Sequence, residues 1–161
     1  MENTRTRLLD AALELLGGAG AAELTLRAVE DAALVPHGSV RHHFGDRAGM
    51  VAALFDHLAD REAGPLTGVP VAAALEHLLG PGRLLTMARY ELFLMAARDP
   101  ALRPPLIRAR DRFVAAAADT VGAAAAPAVV AALDGLVLDA LVRGEHDPVR
   151  LAAAAEELTR R

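Results

Sequence analysis

Cysteine is absent from the 161 residues, which excludes disulfides, thiolate metal ligands and cysteine nucleophiles. Lysine is absent too, and all 17 basic residues are arginine. Together with the abundant alanine, this reads as the imprint of a GC-rich genome rather than of function. Tryptophan is missing, and one tyrosine and four phenylalanines are too few to build stacking platforms for single-stranded nucleic acid. Long apolar runs are also missing. The longest uncharged stretch, Thr120 to Leu133, has 14 residues broken by Gly122 and Pro127, whereas a membrane span needs about 18 or more. The first residues set acids and bases inside their apolar stretch, unlike a signal peptide, so a cytoplasmic protein without membrane contact is expected.

What the sequence does hold is enough apolar material for a core. It is 53% hydrophobic and 24% charged, which fits one domain or two small ones. The net charge is −4. A chain that coats nucleic acid nonspecifically should be basic, so any DNA contact must come from a local patch.

The periodicity is helical nearly throughout, with no alternating strand pattern. Leu8, Leu9, Ala12, Leu13 and Leu16 form one face of a helix over about 4–17, which Gly17 and Gly18 are expected to stop. Thr25 is a candidate N-cap for a helix over about 26–33. Pro36 and Gly38 punctuate a very short helix, about 37–43. Asp46 caps the next, about 47–62, and Ala63 to Pro70 reads as a connection. Further helices are expected at about 71–79 and 82–98. Asp99-Pro100 then opens one that starts near 104 or is kinked there, running to about 121. The helix over about 124–143 is apolar on nearly every side and must be buried, in the core or against a partner, and a last one spans about 148–160. The expectation is an all-α fold of nine helices.

The informative segment is Thr25 to Phe44, TLRAVEDAALVPHGSVRHHF. A short helix, a tight turn and a shorter helix bearing cationic and polar residues have the shape of a helix-turn-helix. Ala28, Val29, Ala32, Val35 and Val40 form its expected inner face.

Residues 5–58 resemble the DNA-binding domain of the TetR family of one-component transcriptional regulators. The resemblance rests on Ala11-Ala12, Gly20, Thr25, the element Val35-Pro36-His37-Gly38-Ser39, the pair His43-Phe44 and the link Gly45-Asp46-Arg47. It implies a DNA-binding domain at 1–46, with its motif at 25–44, then a linking helix and a C-terminal regulatory and dimerisation domain at 47–161. It implies that Ser39 and His37 reach base edges and that Thr25, Arg41, His43 and Arg47 contact phosphates. Arg27 and His42 complete the implied DNA surface. Phe44 is implied to pack the recognition helix. Three departures stand out. Arg41 replaces the usual tyrosine, Leu34 stands where the turn usually has glycine, and Glu30 replaces a common alanine. Residues 1–50 carry five arginines against seven acids, which implies modest affinity or strong salt sensitivity.

The second half resembles the same family more loosely over residues 83–142. The resemblance makes Met87, Tyr90, Glu91, Leu94 and Phe113 candidate walls of a pocket for a small, largely apolar effector. Val130, Leu133, Val137, Leu141 and Leu151 are candidates for the seam of a homodimer. The family's function implies a ligand-responsive repressor on a pseudopalindromic double-stranded operator. The alternative is a dimeric small-molecule-binding or protein-interaction module with a degenerate helix-turn-helix. The histidines at 37, 42 and 43 lack the i, i+4 spacing that converges on a metal, and no cofactor motif is present. No catalytic constellation is found, and Glu145-His146-Asp147 reads as a polar loop, so no enzyme is expected.

Overall fold

The computed structural model describes residues 3–144 and 147–159. Glu145 and His146, and residue 160 of the last expected helix, lie outside the described residues. Among the described residues the chain is all-α. The helices are α1 (Thr4–Ala19), α2 (Leu26–Ala32), α3 (Ser39–Phe44), α4 (Arg47–Leu66), α5 (Val71–Leu79), α6 (Arg83–Arg98), α7 (Arg103–Val121), α8 (Ala126–Arg143) and α9 (Pro148–Thr159). A 3-10 turn, Pro100–Leu102, precedes α7, so the Pro104-Pro105 pair falls in the first turn of that helix, where missing amides cost little.

Side-chain caps set several of these starts. Asn3 accepts from the Arg5 amide, Thr25 from the Ala28 amide at 3.2 Å, and Asp46 from the Gly49 amide at 2.8 Å. Asp99 accepts from the Ala101 amide at 2.9 Å. Two expected ends are corrected. Helix α1 passes through Gly17-Gly18 and ends only before Gly20. Helix α4 continues through Gly64-Pro65 to Leu66, where the Thr67 amide and hydroxyl both donate to the Ala63 carbonyl and close its last turn.

The chain divides into two compact units, Met1–Asp60 with Leu84–Ala109, and Arg61–Arg83 with Arg110–Arg161. In the first, α1 packs on α2 and α2 on α3. Leu8, Leu9, Leu13 and Leu16 of α1 are buried, as are Met50, Leu54 and Phe55 of α4 and Ala88 and Leu92 of α6. Each such leucine contributes roughly 1.5–3 kcal/mol over an exposed one. His57 of α4 meets Asp10 of α1 at 2.8 Å in a half-buried pair. The expected inner face of the helix-turn-helix holds at Val29 and Val40, but Ala32 is exposed and Ala33 is buried in its place. Ala33 keeps right-handed helical geometry and its amide donates to the Val29 carbonyl at 2.9 Å, so it lies one turn beyond Val29 on the same face.

In the second unit α5, α8 and α9 pack on one another. Their buried residues include Leu75, Leu78 and Leu79 of α5, Val129, Val130, Val137 and Ala140 of α8, and Ala155 of α9. Arg110 of α7 donates to Asp134 of α8 at 2.6 Å. The apolar helix α8 is only partly covered: Leu138 and Val142 stay exposed. Among the described residues no single helix is long and apolar enough to cross a membrane.

Gly17 is held in place by a close neighbour rather than by a helix end. A Cβ there would stand 2.2 Å from the Leu84 carbonyl oxygen, a backbone atom that cannot rotate away. Gly17→Ala is expected to destabilise the protein by about 1–3 kcal/mol through forced separation of α1 from the start of α6. Thermal melting checks this, and an unchanged midpoint would refute the close approach.

Candidate nucleic-acid interface

Helix α2 has seven residues, and Thr25 starts it. Its end is a Schellman motif. The Leu34 amide donates to the Asp31 carbonyl at 3.2 Å and the Val35 amide to the Glu30 carbonyl at 3.1 Å. Leu34 occupies the left-handed position of that motif, at φ 54°, and is 83% exposed. Glycine is the usual residue there because a Cβ is strained at positive φ. Arg7 of α1 braces the turn by donating from Nη2 to the Ala33 carbonyl and, at 3.1 Å, to the Leu34 carbonyl.

After the turn, Ser39 Oγ donates to the Pro36 carbonyl at 2.5 Å. Helix α3 follows with six residues and an N-cap, Gly38 at φ 93°, that has no side chain to cap with. Glu30 supplies the missing acceptor. Its Oε1 accepts from the Gly38 amide at 3.0 Å and the Val40 amide at 2.9 Å, and the residue is only 5% exposed. A buried carboxylate needs such partners, and two otherwise orphaned amides need such an acceptor. From the sequence alone Glu30 is only an extra acid. The only trace of its role is an acid on a short helix followed by a helix whose cap position is glycine.

Arg27, His37 and Arg41 are exposed and line one open groove of about 290 Å3 together with Leu26, Glu30 and Gly38. Asp31 lies beside two of them. Its carboxylate meets His37 Nε2 at 2.8 Å and Arg27 Nε at 3.7 Å. The hydrogen bond from His37, aided by the nearby positive charges, holds the Asp31 carboxyl below the usual carboxylate range. Arg41 is different. Among the described residues its side chain makes no hydrogen bond or ion pair, and it projects from α3 into the groove.

The other expected DNA residues do not line this groove and have different roles. Arg47 is exposed, but its guanidinium donates to the Leu24 carbonyl at 2.9 Å and the Ala21 carbonyl at 3.5 Å, tying α4 to the α1–α2 loop. Thr25 is exposed while capping α2, and Ser39 is half-buried. His42 is exposed and stacks edge-on with half-buried His43, centroids 4.9 Å apart. Phe44 is half-buried, with the Arg5 guanidinium 5.1 Å above its ring.

The remaining candidates lie elsewhere. Met87, Tyr90 and Glu91 of α6 are half-buried and Leu94 is half-exposed, all four in the first unit. Tyr90 meets Phe93 edge-on at 6.1 Å, and the buried Arg89 sits over its ring at 5.6 Å. Phe113 is half-buried in the second unit. Val130 and Val137 are buried within their own chain, and Leu133, Leu141 and Leu151 are half-buried.

Comparison with known proteins gives a consistent picture. Residues 8–54 match the family described as bacterial regulatory proteins, tetR family. Residues 69–161 match the tetracyclin repressor-like C-terminal domain. The multidrug binding protein EbrR, solved with ethidium, is 32% identical with a TM-score of 0.80, covering 98% of this chain and 98% of its own. A TetR family member from Streptomyces coelicolor A3, SCO1917, is 31% identical with a TM-score of 0.78, covering 99% and 98%. SCO7518 from Streptomyces coelicolor A3(2), 24% identical, shares the fold at a TM-score of 0.82 over 99% and 100% of the two chains. No curated protein matches.

Two outcomes follow from the turn. Leu34→Gly relieves about 1–2 kcal/mol of left-handed strain, partly offset by the ~0.4–1 kcal/mol that glycine's added freedom in the unfolded chain costs. A net gain of about 0.5–1 kcal/mol is expected, read as a rise in melting temperature, and a fall would refute the strain. For Asp31, a lowered folded-state pKa means its contribution is complete above the usual carboxylate range. That contribution disappears as pH falls through the lowered value. In an NMR titration the Asp31 carboxyl should move back up in His37→Ala, and an unmoved value would remove His37 as the cause.

Proposed function

The chain belongs to the tetR family of bacterial regulatory proteins as a DNA-binding transcriptional regulator, and from that premise we propose that it is a homodimeric, ligand-responsive repressor. It reads a pseudopalindromic operator by setting α3 of each copy in successive major grooves, roughly 34–36 Å apart. The observation that carries this reading is Arg41. It is an exposed cation on α3 with no intramolecular partner among the described residues, beside Arg27 and His37 in one groove. Arg41 takes a phosphate in place of the family's tyrosine, with a charge and a longer reach. Ser39 and His37 approach base edges. Thr25, His43 and the outer edge of Arg47 complete the phosphate track, with Arg27 and His42 at its margins. The DNA-binding domain is residues 1–46, and 47–161 regulate and dimerise.

The dimer forms through the outer faces of α8 and α9. Leu133, Leu141 and Leu151 are half-buried there, Leu138, Val142 and Val149 are exposed, and Val130 and Val137 support them from the core. An apolar face of this kind on a small chain supports a self-complementary contact between twofold-related copies. The effector is a flat aromatic molecule. EbrR, at 31–32% identity, has been solved with ethidium and with proflavin. Tyr90 offers a ring and Glu91 a carboxylate on α6, alongside Met87. Effector binding favours a different spacing of the two α3 helices, and by linkage DNA weakens the effector by the same factor. The protein acts in the cytoplasm.

Selection of bound fragments from a random duplex pool tests this reading, followed by anisotropy titration of the winner at two salt concentrations. A pseudopalindrome should be enriched, with affinity falling steeply in salt. Arg41→Ala should weaken binding about tenfold and reduce the salt slope by about 1 for the single phosphate it no longer neutralises. No enrichment at low salt, from folded dimer, would instead favour a binding module with a degenerate head.

A further inference from the structure

We propose that Glu30 is a positioning residue for DNA recognition: its buried carboxylate, reaching from α2, fixes where the recognition helix α3 begins. The inference rests on the regulator reading above and concerns a residue that departs from the family pattern. Four observations carry it. Glu30 Oε1 takes both the Gly38 amide at 3.0 Å and the Val40 amide at 2.9 Å. The residue is 5% exposed, so water does not readily replace it. Gly38 has no side chain with which to cap α3. The Glu30 main-chain carbonyl also accepts from the Val35 amide, so one residue holds both the end of α2 and the start of α3.

The consequence for recognition is specific. The N-terminus of a helix ordinarily offers its free amides to a phosphate. Here the amides of Gly38 and Val40 already have an anionic partner. Phosphate is therefore met by side chains, Arg41 first, and the pose of those side chains depends on Glu30. Position 30 requires an acceptor rather than a charge. Removing the charge while keeping the acceptor preserves the pose and removes repulsion toward phosphate. Removing both leaves two amides unsatisfied and frees the start of a six-residue helix.

The test compares Glu30→Gln with Glu30→Ala on the duplex selected from the random pool and on an unrelated duplex at low salt. Glu30→Gln should bind the selected duplex as tightly as wild type or up to a few-fold tighter. Glu30→Ala should weaken it at least tenfold while the unrelated duplex is bound as before. In hydrogen exchange, the Gly38 and Val40 amides should lose protection in Glu30→Ala and keep it in Glu30→Gln. If Glu30 were only an unfavourable charge, both variants would bind more tightly. If it served stability alone, both duplexes would be affected alike. Wild-type affinity and exchange in Glu30→Ala, or equal losses in the two variants, would overturn the proposal. Should wild type select no duplex at all, the regulator reading fails, and the exchange experiment alone decides whether Glu30 holds α3.

Discussion

A six-residue helix cannot hold itself together in water. Nucleating one costs the ordering of several residues for a single hydrogen bond, and helices shorter than about 12–15 residues are marginal even with good helix formers. Helix α3 spans only Ser39–Phe44, and of its six residues the arginine alone is a strong helix former. Its order is therefore borrowed. Val40 is buried beneath it, Glu30 of α2 holds its first amides, and Arg5 of α1 covers the ring of Phe44 at its end. The first unit is best understood as the apparatus that supplies this order. The long helices α1 and α4 can form their own hydrogen bonds and so can serve as the frame.

The same constraint explains how the charges are used. A head with more acids than bases is a poor nonspecific binder of DNA, yet the balance misleads because the charges do different work. Glu30 points inward and is consumed by amides. Asp10 faces His57, and Asp46 caps α4. On the cationic side, Arg7 and Arg47 donate to main-chain carbonyls, Arg27 leans on Asp31, and Arg5 lies over Phe44. Of the five arginines in residues 1–50, Arg41 alone has no such engagement among the described residues. An exposed ion pair such as Arg27–Asp31 is worth little to stability, but it does lower the charge the groove presents. The local field at α3 is thus set by placement, and net charge is a poor guide to it.

Much of this fold is legible in the sequence, because helices leave a periodic trace. The apolar spacing of α1, the range of α5, the caps at Thr25, Asp46 and Asp99, and the short α3 all follow from local chemistry. The glycines mislead twice. Gly17-Gly18 suggests a stop, but Gly17 sits inside α1 because Leu84 approaches it from far along the chain. Gly64-Pro65 suggests a linker, but α4 runs through it to Leu66, forgoing the amide hydrogen bond that Pro65 cannot donate. The tying contacts are scarcely legible. Arg7 to Ala33, Glu30 to Val40 and Arg47 to Leu24 join side chains to main-chain atoms. No periodicity encodes such partners, and composition records only a charge. Helix α8 is legible only in part. Its apolar pattern implies burial in the core or against a partner, and within the single chain Val129, Val130, Val137 and Ala140 are buried while Val142 is 78% exposed.

Leu34 and Glu30 are then two halves of one arrangement. A leucine at φ 54° carries strain of about 1–2 kcal/mol, and such a residue persists only where its surroundings leave it no alternative. The turn meets that condition. The two Schellman hydrogen bonds close it from α2, Arg7 grips the carbonyls on either side of the Ala33–Leu34 bond, and Glu30 fixes the far side through α3. Relaxing Leu34 toward ordinary backbone would break several of these hydrogen bonds together, and each is worth about as much as the strain. A turn so over-determined behaves as a rigid joint. Rigidity is what a six-residue helix needs if Arg41 is to hold one pose, as the proposed phosphate contact requires.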